Sequence, residues 1–272
     1  MVNRIIDDQI VITDSVTKIG PECEARVVLG ASHGGIYAAY LAVKVKARGV
    51  ILNDAGWAKD DSGVSGSGYC QGLNIPYATT DTMSCRIGNG ESAVAEGVIS
   101  FANPLALSLG VTVGMSALEA AWCMTKADRS TQPALSYAEA RKELPVKPGE
   151  RMIVLMDSIS LVNDQDSGRI VVSGSHGAML GNDPATAIRG DAFAGFFHDA
   201  GGGKDGAATT RLPALNQRGI IAGTVGCMSA RIGDGESIYR DGVLSHLNEV
   251  AVAAGGKVGM PAKTFIDSLI TK

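Results

Sequence analysis

Three short polar motifs each occur twice in this chain, and their residue types are those of proton transfer and oxyanion binding. Ser32-His33-Gly34 recurs as Ser175-His176-Gly177. A histidine on a glycine-rich turn titrates near neutrality and can serve as general acid or base. Gly34 and Gly177 would let backbone N–H groups approach an anion or a carbonyl oxygen. Asp54-Ala55-Gly56 with Lys59-Asp60 recurs as Asp199-Ala200-Gly201 with Lys204-Asp205. Asp54 and Asp199 are candidates to orient the histidine of their own copy. Lys59 and Lys204 would be bases if desolvated, and otherwise cationic anchors. The stretch from Ser84 to Ser92 recurs from Ser229 to Ser237 with seven of nine residues identical. Arg86 and Arg231 present a planar fork suited to carboxylate, phosphate or the paired oxygens of an imide. Ser84 and Ser229 are candidate nucleophiles or oxyanion donors.

The candidate catalytic set is therefore His33, His176, Lys59, Lys204, Ser84, Ser229, Asp54 and Asp199. The candidate substrate contacts are Arg86, Arg231, Gly34, Gly177, Gly56, Gly201 and His198, which stands where the first copy has Asn53. Each motif also has a plainer reading. The histidines would bond neighbouring carbonyls or cap helices, the Asp-Gly pairs would make turns beside solvated Lys–Asp pairs, and the arginines would form salt bridges locking the copies together.

Residues 9–119 and 152–264 align almost without gaps. Short apolar runs alternate with helical stretches: Ile10 to Thr13, Ala25 to Leu29, Val50 to Leu52 and Ile75 to Thr80 in the first copy. Met152 to Met156, Arg169 to Val172, Ala194 to Phe197 and Ile220 to Val225 are their counterparts. A helix is predicted from Ile36 to Ala47, stopped at Gly49. A long helix is predicted from Glu91 to about Leu109, and again from Glu236 to about Ala254, with Gly110 and Gly255 as C-terminal caps. On that helix Ser100 and Asn103, like Ser245 and Asn248, would share a face. After His176 the second copy is two residues longer and carries Asn182-Asp183-Pro184, a cap followed by proline. This pattern predicts an α/β fold of two pseudo-equivalent repeats, mostly parallel sheets flanked by helices in three layers. The repeats would span 1–125 and 151–272, joined by a connector over 126–150 with one short helix. Every polar motif follows a strand, so the motifs should collect on the carboxyl edge where open α/β sheets bind ligands.

At 272 residues, with 45% apolar and 19% charged content, the chain is expected to fold into one large or two ordinary domains. The net charge of −4 and the lack of a basic patch interleaved with aromatics argue against nucleic acid. No apolar stretch is long enough to span a bilayer. Five cysteines without a C-x-x-C pair point to reduced thiols in a cytoplasm. The glycine-x-glycine elements lack the context of a dinucleotide or phosphate loop, so NAD and ATP are not expected. A zinc site would have to gather His33, His176 and His198 with Asp54 or Asp199, and no ligand spacing favours it. No cofactor is therefore assigned.

A strand ending in Ser-His-Gly, followed by one ending in an acidic residue and alanine, resembles the caspase and legumain peptidase core. There the cysteine position falls on Gly56 or Gly201. A site built from repeats that each supply Lys, Ser and Arg looks, in design alone, like the ring-opening amidohydrolases of cyanuric acid and barbiturate. The expected function is a cofactor-independent hydrolase acting on C–N bonds other than peptide bonds, in a small polar metabolite such as a cyclic amide or imide. Both repeats would contribute to the site, and a homo-oligomer is expected. Two alternatives remain: an isomerase or racemase with paired bases, and a non-catalytic ligand-binding protein.

Overall fold

The computed structural model describes residues 3–181 and 183–271. It contains two six-stranded sheets, mostly parallel and covered by helices, in the three-layer arrangement that the repeat pattern predicts. The chain divides into two compact units, and the division does not follow the sequence strictly. The first comprises 1–57, 61–138 and 203–205; the second comprises 58–60, 139–202 and 206–272.

In the first unit the elements run β1 (Arg4–Ile6), β2 (Ile10–Thr13), β3 (Val27–His33), α1 (Ile36–Lys44), β4 (Gly49–Asn53), α2 (Gly66–Gly72), β5 (Tyr77–Thr80), α3 (Gly90–Glu96), β6 (Ile99–Ala102), α4 (Pro104–Ser108) and α5 (Ala117–Met124). The strands lie in chain order, with β2 to β5 parallel and β1 and β6 antiparallel at the edges. Both faces are buried, which is why the strands read as unbroken apolar runs. Successive residues alternate between two cores. Ile10, Val27, Leu29 and Ile51 pack with α3 and α5, whereas Val11, Val28, Val50 and Leu52 pack with α1 and α2.

The second unit repeats this plan with β7 (Arg141–Glu143), β8 (Ile153–Met156), β9 (Ile170–His176), β10 (Ala194–His198), α6 (Arg211–Gln217), β11 (Ile221–Val225), α7 (Gly235–Arg240), β12 (Leu244–Leu247), α8 (Glu249–Ala253) and α9 (Ala262–Ser268). Among its described residues it has no counterpart of α1. The longer loop after His176 fills that layer, with Ala187, Ile188 and Ala192 packed into the core beside Leu212 and Leu215. Asp183 caps the 3-10 turn Pro184–Thr186 by accepting from the Ala185 N–H, as the Asp-Pro pair predicts; Asn182 lies outside the described residues.

The long helix expected after each Arg-Ile-Gly loop does not form. Its first turns make α3 and α7, but at Gly97 and Gly242, where a Cβ would collide with the Ala93 and Ile238 carbonyls, the chain turns into the edge strands β6 and β12. Apolar spacing alone cannot separate a short helix, a strand and a second helix from one long helix. Ser100 and Ser245 are therefore strand residues, and Asn103 and Asn248 cap α4 and α8 instead of sharing a helix face with them. Gly110 and Gly255 do follow those helices with left-handed φ, as expected of caps. Gly49 opens β4 instead of stopping α1, and the stretch 126–150 holds the edge strand β7 instead of a helix.

Candidate active site

In each unit the polar motifs lie where the sheet-edge rule puts ligand loops, at the carboxyl ends of the parallel strands. His33 is the last residue of β3 and pairs in register with Asn53 of β4; His176 ends β9 and pairs with His198 of β10. The imidazoles are held alike. Nδ1 of His33 accepts the Gly35 N–H at 3.2 Å, and Nδ1 of His176 accepts the Ala178 N–H at 3.3 Å. In the neutral ring that leaves the proton on Nε2.

The motif glycines serve the backbone. The Gly34 N–H donates to the Asn53 carbonyl at 2.7 Å, and the Gly177 N–H to the His198 carbonyl at 2.9 Å. Any Cβ on Gly34 would collide with the Tyr77 hydroxyl and the Gly63 carbonyl, and on Gly177 with the Ala208 carbonyl. Glycine is required there by close approach of the neighbouring loop, and its N–H is already spent. Gly56 and Gly201, with φ of 71° and 74°, donate to Oδ1 of Asp54 and Asp199 at 2.9 and 3.0 Å. These glycines occupy the position that the caspase likeness reserves for cysteine, so that position carries no thiol.

The serines and the cations of the motifs are engaged too. Ser84 Oγ donates to the Asp81 carbonyl and accepts from the Val98 N–H; Ser229 Oγ does the same with Gly226 and Val243. In the first unit Arg86 pairs with Asp205, and Lys204 with Glu96 at 2.8 Å. In the second, Arg231 pairs with Asp60 at 3.1 Å and Asp234 at 2.9 Å, and Lys59 with Asp241 at 3.0 Å. The Lys-Asp segments make the same ion pairs twice, and that duty accounts for much of the duplicated pattern. These pairs are partly exposed, where solvent screening keeps their contribution to stability small.

The aspartates differ from the cations. Asp54 is 3% exposed and Asp199 is 7% exposed, and neither forms an ion pair with a described residue. Burial pushes the Asp54 carboxyl above its ordinary range, against the N–H groups of Gly56 and Thr82 and the hydroxyl of Ser100, which favour the charged form. His198 is fully buried. Its Nδ1 accepts the Ala200 N–H at 3.0 Å, and its Nε2 meets the Ala230 carbonyl at 3.0 Å. Both nitrogens serve the fold, and desolvation lowers its pKa.

Two neighbours are not signalled by the repeat. Cys227 replaces Thr82, and both burial and the adjacent Asp199 push its thiol pKa up, which disfavours the thiolate. Trp57 replaces nothing bulkier than Gly202, yet takes a left-handed φ of 64° and is 40% exposed, its ring edge-on to Phe101 at 5.9 Å. A left-handed, half-exposed tryptophan beside Asp54 is visible only once backbone angles are known.

Among the described residues no group of three or more His, Cys, Asp or Glu is placed to hold a metal ion, and no helix is long and apolar enough to cross a membrane. No family model, curated protein or solved structure matches the chain.

Proposed function

We propose that the chain is a cofactor-independent hydrolase of a small polar metabolite, such as a cyclic amide or imide. One observation carries the reading: both repeats bury an aspartate without an ion-pair partner among the described residues, one residue past the strand position that pairs with His33 or His176, while the motif cations are paired elsewhere. Holding a carboxylate that way costs stability, and such groups concentrate where chemistry needs them. The aspartate takes a proton from water as the oxygen bonds to the substrate carbonyl carbon. The aspartate then passes that proton to the departing nitrogen as the C–N bond breaks and the C=O bond re-forms, while the histidine Nε2–H donates a hydrogen bond to the oxygen that carries the developing charge. A depressed tendency to ionise brings Asp54 toward the pH at which a base works well.

The test is turnover of hydantoin, dihydrouracil and succinimide, followed by NMR in D₂O, in wild type, Asp54→Asn, Asp199→Asn and His176→Gln. Loss of at least about 10²-fold in kcat is expected, the scale of one acid–base group. Asp54→Asn also checks that the fold is intact. Burial raises the folded pKa above the ordinary 3.8, so ionisation costs stability as pH rises through that range. The variant should gain on wild type as pH climbs above the carboxylate range, and the gap should close below it. Full activity in both aspartate variants would defeat the reading. Deuterium uptake without C–N cleavage would replace hydrolysis with isomerisation, and saturable binding without turnover would replace it with ligand capture.

A further inference from the structure

We propose that Arg211 in the second unit is the seat of an anionic group, a carboxylate or similar oxyanion, on a bound ligand. Arg211 is 1% exposed, one of the largest fully buried side chains. Its Nε donates to the carbonyl of His176 at 3.3 Å, Nη1 donates to the carbonyls of Thr186 and Ala187, and the guanidinium lies 5.3 Å over the ring of Phe197. Its own backbone N–H donates to the Gly177 carbonyl at 2.9 Å. The side chain thus lies directly behind the turn that carries His176.

All these acceptors are neutral. Arg211 forms no ion pair with a described carboxylate, and Nη2 donates to no described residue. Burial without a counter-charge pulls the guanidinium down to about 10. Burying an unpaired cation is unfavourable, whereas hydrogen-bonded neutral groups meet its directions and not its charge. Three N–H donors suffice for the three carbonyls, so the charge and the Nη2 pair are surplus to that duty.

The other repeat sharpens the point. The residue equivalent to Arg211 is Gly66, where a Cβ would press on Ala39 of α1 and on the Gly34 carbonyl. The first unit fills this layer with a helix and needs no cation. In the second, filling the layer and satisfying the loop carbonyls explains a long polar side chain but not a permanent charge. An incoming oxyanion supplies the missing counter-charge, and Nη2 is the donor left to hold it.

This goes beyond the hydrolase reading and needs no turnover. The experiment titrates wild-type protein with sodium malonate, sodium phosphate and sodium chloride. It follows the guanidinium ¹⁵N resonances by NMR, and binding by calorimetry in wild type, Arg211→Lys and Arg211→Met. Malonate should shift the Arg211 resonance saturably and raise Tm. Its affinity should drop at least tenfold in Arg211→Met and less in Arg211→Lys, which keeps the charge. A response to phosphate and not malonate would make the oxyanion a phosphate, and the seat would stand. An Arg211 resonance that none of these anions moves, or malonate binding undiminished in Arg211→Met, would reduce Arg211 to a staple for the loop. If Arg211→Met does not fold, the wild-type titration alone decides.

Discussion

Position 53 is asparagine in the first copy, and its counterpart 198 is histidine; the structure explains the exchange residue by residue. Asn53 Oδ1 accepts the Ala55 N–H at 2.9 Å, and Nδ2 reaches Cys85 Sγ at 3.8 Å. In the second copy Nδ1 of His198 accepts the Ala200 N–H, and Nε2 meets the carbonyl of Ala230, the residue that replaces Cys85. Imidazole thus repeats the acceptor-and-donor pattern of the amide with a longer reach, and the smaller alanine vacates the volume. The two positions should be coupled. Asn53→His alone is expected to cost about 1–3 kcal/mol by overpacking against Cys85. Cys85→Ala in the same chain should recover much of that, with a coupling energy of about 1 kcal/mol or more in a denaturation double-mutant cycle. Additive single effects would mean that the two copies diverged here independently.

At the loop after the buried aspartate the two copies reach one backbone with different residues. In the first copy it carries left-handed φ at Ala55, Trp57, Ala58, Asp60 and Asp61, residues with side chains. The second copy uses the same backbone and supplies glycine at three of the equivalent positions, Gly202, Gly203 and Gly206. Residues with a Cβ cost about 1–2 kcal/mol each in this region, aspartate less than most. Asp61 is exposed and its counterpart is Gly206. Asp61→Gly should therefore raise stability by up to about 1 kcal/mol, read as an increase in denaturation midpoint without a change in slope. A loss of stability would show that the Asp61 side chain contributes more than its backbone costs.

At the scale of the molecule, each unit has its own pair of cores on the two faces of its own sheet. In the second unit Phe196 is fully buried and meets Phe265 edge-to-face at 5.8 Å. Phe196→Ala is expected to cost about 3–5 kcal/mol. Hydrogen exchange should then quicken across β8 to β11, while β2 to β5 keep their protection, because cooperative units follow contiguous cores. Equal loss in both sheets would mean that the two units unfold as one.

The four parallel strands of each unit were legible in the sequence because strands buried on both faces must be apolar throughout, and the duplication gave each run a second sample; the antiparallel edge strands were not. Ile10 to Thr13 and Val50 to Leu52 are examples, and the placement of His33, Asp54 and Arg86 at or beyond the carboxyl ends of strands followed from the same pattern. What the residues at those strand ends do was decided only by tertiary structure. Lys59, Lys204, Arg86 and Arg231 look like ligand-binding cations until their carboxylate partners, far away in sequence, come into view. Gly34 looks like an anion-binding glycine until its N–H is found on Asn53 and its bare Cα against Tyr77. Arg211 is unremarkable in the sequence because neither burial nor the absence of a nearby carboxylate is a local property. Local patterns set the elements through the spacing of apolar residues, whereas the net charge around a buried group depends on chain segments brought together only by folding.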